Sequence, residues 1–180
     1  MSETKNASPI PIVRRVITGH NAEGKSIVVR DDVQSPKYWG TDSVNTIYDI
    51  CRTEHVPASI DSEITTGTFV DEIASHADHV NPTGTVFRSF EFAPGTVTPF
   101  HRTESLDYAV VGKGSIVLQL DDGKKVTLNE GDVVCQRGTS HCWRNESSEW
   151  SRIYFVLLGA KPVVINGKEL KEHWGAPPSS

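Results

Sequence analysis

At 180 residues the chain is long enough for one domain with a real hydrophobic core. Its 23 acidic side chains outnumber 18 basic ones, and a net charge of −5 excludes the basic surface that nucleic-acid binding requires. No apolar stretch approaches the roughly 18 residues of a membrane span. The N-terminus also lacks a basic stretch followed by an apolar block, so a cytoplasmic protein without membrane or nucleic-acid partners is expected.

Residues 1–11 are polar with two prolines and predict a flexible arm. Residues 13–18 and 26–30 read as strands around a turn-like stretch, and so as a hairpin. Residues 36–42 read as a loop, and 45–56 alternate as a strand does. Over 69–80, Val70, Ile73 and Ala74 fall at helical offsets with Asp71 and Glu72 early, which predicts one short surface helix. His76 and His79 then lie on its solvated side, since a bare HxxH names no third ligand. From Thr85 onward every segment reads as β. Asp122-Gly123 and Asn166-Gly167 mark hairpins between alternating apolar runs. Many short strands at close spacing predict an all-β sandwich or barrel. Cys51, Cys135 and Cys142 fit no metal or redox spacing and read as reduced, packed thiols.

The chemistry-bearing residues cluster in two stretches. The first reads Gly95-x5-His101-x-Thr103-x3-Asp107-x6-Gly114, and the second runs from Gly131 through Arg137 and His141 to Asn145. Side chains at even separation share a strand face. His101, Thr103 and Asp107 therefore group together, as do His141, Trp143 and Asn145, while Glu104 and Tyr108 face the other way. Two imidazoles and a carboxylate converging in a barrel mouth are the donor set of a facial metal triad. Without a metal, His141 can move a proton while Asp107 orients it. Arg102 and Arg137 are candidates to clamp a substrate anion, and Thr103 and Trp143 are candidate pocket walls. His20, His55 and His173 have no supporting pattern.

The two stretches resemble the paired motifs of the cupin family. Gly95, His101 and Gly114 match the first motif, with Thr103 at its second histidine and Asp107 at its glutamate. Gly131, His141 and Asn145 match the second, with Arg137 at its proline and a Gly-to-His interval one residue shorter. The wording HRTESLDYAVV and GDVVCQRGTSHCWRN is similar to small single-domain cupins of fungi and bacteria, some of them in secondary metabolism. The resemblance implies a double-stranded β-helix, or jelly-roll barrel, over 85–165. A strand-rich extension over 12–84 would precede it, and a C-terminal hairpin and tail over 166–180 would follow. It further implies that the extension pairs with a second copy to form a homodimer, and that Asn145 braces a turn.

The expected function is that of a lyase, a dehydratase or decarboxylase. Its substrate would be a small oxygenated organic acid or polyketide-like compound. The catalytic residues would be His101, Asp107 and His141, and the same three would hold one divalent ion (zinc, nickel, manganese or iron) if the enzyme uses one. A metal-free mode, a non-catalytic small-molecule container and an Fe(II) dioxygenase stay open as alternatives.

Overall fold

A computed structural model describes residues 8–175. The N-terminal strands β1 (Arg14–His20) and β2 (Ser26–Val33) form an antiparallel ribbon. They are followed by β3 (Lys37–Tyr38) and β4 (Thr46–Thr53), then β5 (Thr85–Phe92), β6 (His101–Arg102) and β7 (Ser105–Lys113). Next come β8 (Ser115–Leu120), β9 (Lys125–Asn129), β10 (Val133–Arg137), β11 (His141–Arg144) and β12 (Ser151–Gly159). The chain closes with β13 (Val163–Ile165), β14 (Lys168–Leu170) and β15 (His173–Trp174). Two sheets face each other, one in the order β10-β7-β12-β5-β4-β3 and the other β15-β6-β11-β8-β9. This is the all-β architecture that the strand pattern predicts, in the jelly-roll form that the family resemblance implies, and residues 12–84 contribute β3 and β4 to the larger sheet.

Both turn signals act as expected. Gly123 adopts φ 84° and its amide donates to the Leu120 carbonyl, closing the β8–β9 hairpin. Asn166 and Gly167, both at positive φ, join β13 to β14. Gly114, between β7 and β8, has φ 70°, and a Cβ there would meet the Trp150 carbonyl oxygen at 2.6 Å, so only glycine fits.

The principal core lies between the sheets, where Val86, Phe92, Ile116, Ile153, Phe155 and Leu157 interdigitate. Alternation explains it. On β12 the odd positions from Ile153 to Leu157 point inward, and the even ones point to the outer face. That outer face is covered as well, because Val13 packs on Tyr48 and Ile50 from β4, with Phe87 and Tyr154 beside them.

Charge fixes the same seam. Glu91 is fully buried and is held by Arg152, directly opposite on β12, and by the Thr46 hydroxyl at 2.6 Å. Arg152 also donates to the Pro11 carbonyl at 2.6 Å and lies over the Tyr48 ring. Arg15, buried, binds Asp32 and Asp71 at 2.8 Å each and the Ile50 carbonyl.

The segment 69–80 departs from expectation. It holds only a 3-10 helix, Glu72–Ser75, while the five-residue helix α1 (Ser62–Thr66) forms just before it. Tertiary pairing overrides the helical offsets. Asp71 is taken by Arg15, Asp78 by Arg52, and Ile73 is buried in the main core. Among the described residues no helix is long and apolar enough to cross a membrane.

Candidate functional site

The interior of the sandwich opens into a cavity of about 270 Å³. Six aromatic rings wall it: Trp39, Phe90, Phe92, Trp143, Phe155 and Trp174. Set among them are three imidazoles (His79, His101 and His141), the Asp107 carboxyl and the Gln136 amide. No lysine or arginine lines it among the described residues.

Register brings the central groups together. His101 on β6 stands directly opposite His141 on β11, and their ring centroids are 4.2 Å apart. Asp107 on β7 stands opposite Gln136 on β10. The Gln136 Nε2 group donates to Asp107 Oδ2 at 3.3 Å and to His141 Nε2 at 3.1 Å, linking the two sheets. Parity would put His101 and Asp107 on one face only along one unbroken strand. Instead the chain passes from the smaller sheet to the larger between Arg102 and Ser105, yet both side chains end inside.

Backbone carbonyls fix two of the imidazoles. Nδ1 of His101 donates to the Pro99 oxygen at 3.0 Å, and Nδ1 of His141 to the Thr139 oxygen at 2.9 Å. A carbonyl only accepts, so both neutral rings keep a lone pair on Nε2. Burial, with His101 close by, pushes His141 down to about 3, and burial also lowers His101. Burial raises the Asp107 carboxyl to about 6, against the opposing pull of hydrogen bonds from Ser105 and Gln136. Asp107 Oδ1 and Gln136 Oε1 are buried without a hydrogen-bond partner.

Two imidazole nitrogens and a carboxylate with an orphaned oxygen fit a divalent cation in donor kind. Their spacing is wider than a shared ion's. Among the described residues, the group whose ligand atoms all lie within 4.8 Å of one another is Glu54, Glu72 and His76. That group lies away from the cavity lining, and Arg52 already holds Glu54 at 2.6 Å.

Other expected site residues divide between two places. Thr103 and Trp143 line the cavity. Arg102 and Arg137 instead line a separate depression with Glu104 and Lys161. Arg102 alternates away from His101, and its guanidinium donates to the Gly138 and Lys171 carbonyls. Arg137 is exposed at the end of β10. Neither can clamp an anion inside the main cavity. Asn145 braces its turn, donating to the Phe92 and Glu149 carbonyls at 2.8 Å each.

Three lining residues escape the sequence reading. Gln136 shares inward parity with Val134, a signal the motif comparison passes over in favour of Arg137. His79, expected on a solvated helix, sits against Phe90 and Trp174. Trp174, expected in the C-terminal tail, belongs to β15, which pairs with β6. Its ring stacks on His101 at 4.6 Å and 1°, while half of it (54%) stays exposed at the cavity mouth.

Comparison with known proteins agrees with this geometry. Residues 88–158 match the cupin domain. Oryzines biosynthesis cluster protein J of Aspergillus oryzae is 33% identical, covering 92% of this chain and 93% of that protein. Phomopsin biosynthesis cluster protein D of Diaporthe leptostromiformis is 36% identical over 94% of this chain and 90% of its own length. The cupin-domain-containing oxidoreductase virC of Hypocrea virens is 34% identical over 91% and 86%. With the paired motifs, the jelly roll and full-length relatives in agreement, the chain belongs to the cupin family.

Proposed function

We propose that the chain is a secondary-metabolism cupin that performs a lyase step, dehydration or decarboxylation, on a small, flat, oxygenated aromatic or polyketide-like compound. The observation that carries this reading is a cavity walled by aromatic rings, with no lysine or arginine in its lining among the described residues, around a carboxyl raised to about 6. Apolar walls and scarce, placed polar groups suit a flat neutral ligand. The absence of lysine and arginine from the described lining favours dehydration of a neutral compound over decarboxylation, whose substrate carboxylate would find no basic side chain there. The biosynthetic clusters named for two relatives support the secondary-metabolism part of this reading.

Asp107 is the group matched to proton transfer near neutral pH. His141, depressed to about 3, is a poor base, and its Nε2 is engaged by Gln136. This moves the proton-handling role from His141 to Asp107, with Gln136 and His141 holding the carboxyl in place. His101 offers its Nε2 lone pair to a ligand hydroxyl.

A second reading, an oxidoreductase, is favoured by the name of the virC relative. Metabolite profiles of a host strain lacking the chain separate the two. The lyase reading expects a compound heavier than the product by water or carbon dioxide to accumulate, and the purified protein to consume it. Asp107→Asn should slow that turnover by about a hundredfold or more. An accumulated compound that differs from the product by hydrogen or oxygen refutes the lyase.

A further inference from the structure

We infer that His79 is a neutral hydrogen-bond donor to a ligand oxygen, placed on the wall opposite in character to His101 and His141. The inference rests on the aromatic-ligand reading above and adds to it a tautomer, a polarity and a substrate feature. His79 precedes β5, outside both cupin motifs, and lines the same cavity.

Arg88 Nη1 lies 3.3 Å from His79 Nδ1. A guanidinium has donors only, so Nδ1 must accept, and the single proton of the neutral ring resides on Nε2. Arg88 is itself fixed, buried on β5, by an ion pair with Asp49 at 3.0 Å and by a bond to the Asp78 carbonyl at 3.4 Å. Burial and the adjacent Arg88 charge lower His79 to about 4, so the ring stays neutral at pH 7. Phe90 and Trp174 hold it from two other sides, at 5.8 and 5.3 Å between ring centroids.

His101 and His141 have the opposite tautomer, because their Nδ1 protons go to carbonyl oxygens. The cavity therefore carries two Nε2 lone pairs and one Nε2–H. A ligand matched to it presents a hydroxyl toward His101 and a carbonyl or phenolic oxygen toward His79. A preorganised neutral donor at an oxygen that gains negative charge is what enolate-forming chemistry requires.

Long-range proton–nitrogen correlation spectra of the labelled protein at pH 7.5 test the tautomers directly. The expected result is an Nε2–H pattern for His79, assigned by its loss in His79→Gln, and Nδ1–H patterns for His101 and His141. An Nδ1–H or doubly protonated His79 overturns the inference. Binding of 1-indanone and indane, followed by tryptophan fluorescence, tests the donor role. The ketone should bind about fivefold tighter than the hydrocarbon. That preference should vanish in His79→Phe and persist in His79→Gln, whose amide still donates. A preference that survives His79→Phe overturns the donor role. If neither compound binds while the tautomers stand as stated, the aromatic-ligand reading is what has failed, and the donor role falls with it.

Discussion

The two faces of the larger sheet solve burial in opposite ways. On the outer face, where the N-terminal extension lies, charges are buried and paired: Glu91 with Arg152, and Arg15 with Asp32 and Asp71. On the inner face the cavity holds no cation among the described residues, and its imidazoles are kept neutral by burial. A paired buried ion is weak evidence of net stability, but removing one partner is costly. The outer seam thus ties extension to barrel, while the inner face keeps its polar groups for a ligand. Arg88 departs from the contrast: it stands on the inner side opposite Phe155, is buried and paired with Asp49, and reaches His79.

Breaking the outer seam should give the largest effect. Glu91→Ala leaves Arg152 buried and unpaired, and is expected to cost about 3–5 kcal/mol in urea denaturation. An effect below about 1 kcal/mol would show that the seam is not closed as described.

Acid should distinguish the inner face next. His79 and His141 have folded pKa values of about 4 and about 3, below the unfolded value near 6.5. Their contribution is complete above about pH 6.5 and is lost as pH falls toward the folded values, because the unfolded chain takes up protons first. Asp107 acts in the reverse sense. Its folded value of about 6 lies above the unfolded 3.8, so it contributes most below pH 3.8 and loses that contribution as pH rises through 6. Two strongly depressed imidazoles, joined by His101, outweigh one carboxyl. The chelator-treated protein should lose about 2 kcal/mol between pH 7.5 and 4.5. Stability that is flat or rising over that interval would contradict neutral imidazoles.

The smallest effects sharpen the boundary between cavity and surface. Trp174→Ala removes the ring stacked on His101 and should cost about 1 kcal/mol, while weakening 1-indanone binding. Arg137→Ala should stay within about 0.5 kcal/mol and leave that binding unchanged. Equal responses in the two titrations would erase the distinction drawn between cavity and outer depression.

Much of this was legible before folding. Asp122-Gly123 and Asn166-Gly167 specify hairpins through backbone conformations that glycine adopts cheaply. Alternation on β12 assigns Ile153, Phe155 and Leu157 to the core. His101, Asp107 and His141 stand out by motif, and all three reach the cavity. Gln136 lay hidden because a motif alignment directs attention to Arg137, one residue away and on the opposite face. His79 lay hidden because the helical offsets of 69–80 placed it toward solvent, and Trp174 because it stood outside any periodic segment. Their places depend on Arg88 from β5 and on β15 docking to β6.

By itself the sequence determined the principal strands and hairpin turns, the family and the central histidines and aspartate, but not the short strands β3 and β15, since period-two alternation and glycine conformation act within a few residues. Only the tertiary structure decided which polar groups share one interior. It put Arg102 and Arg137 outside, Gln136 between Asp107 and His141, and His79 and Trp174 at the cavity wall. Sheet register and burial act across tens of residues. They lower the His79 and His141 pKa values and raise that of Asp107, and they fix the His79 tautomer through Arg88, whereas the His101 and His141 tautomers follow from carbonyls two residues away.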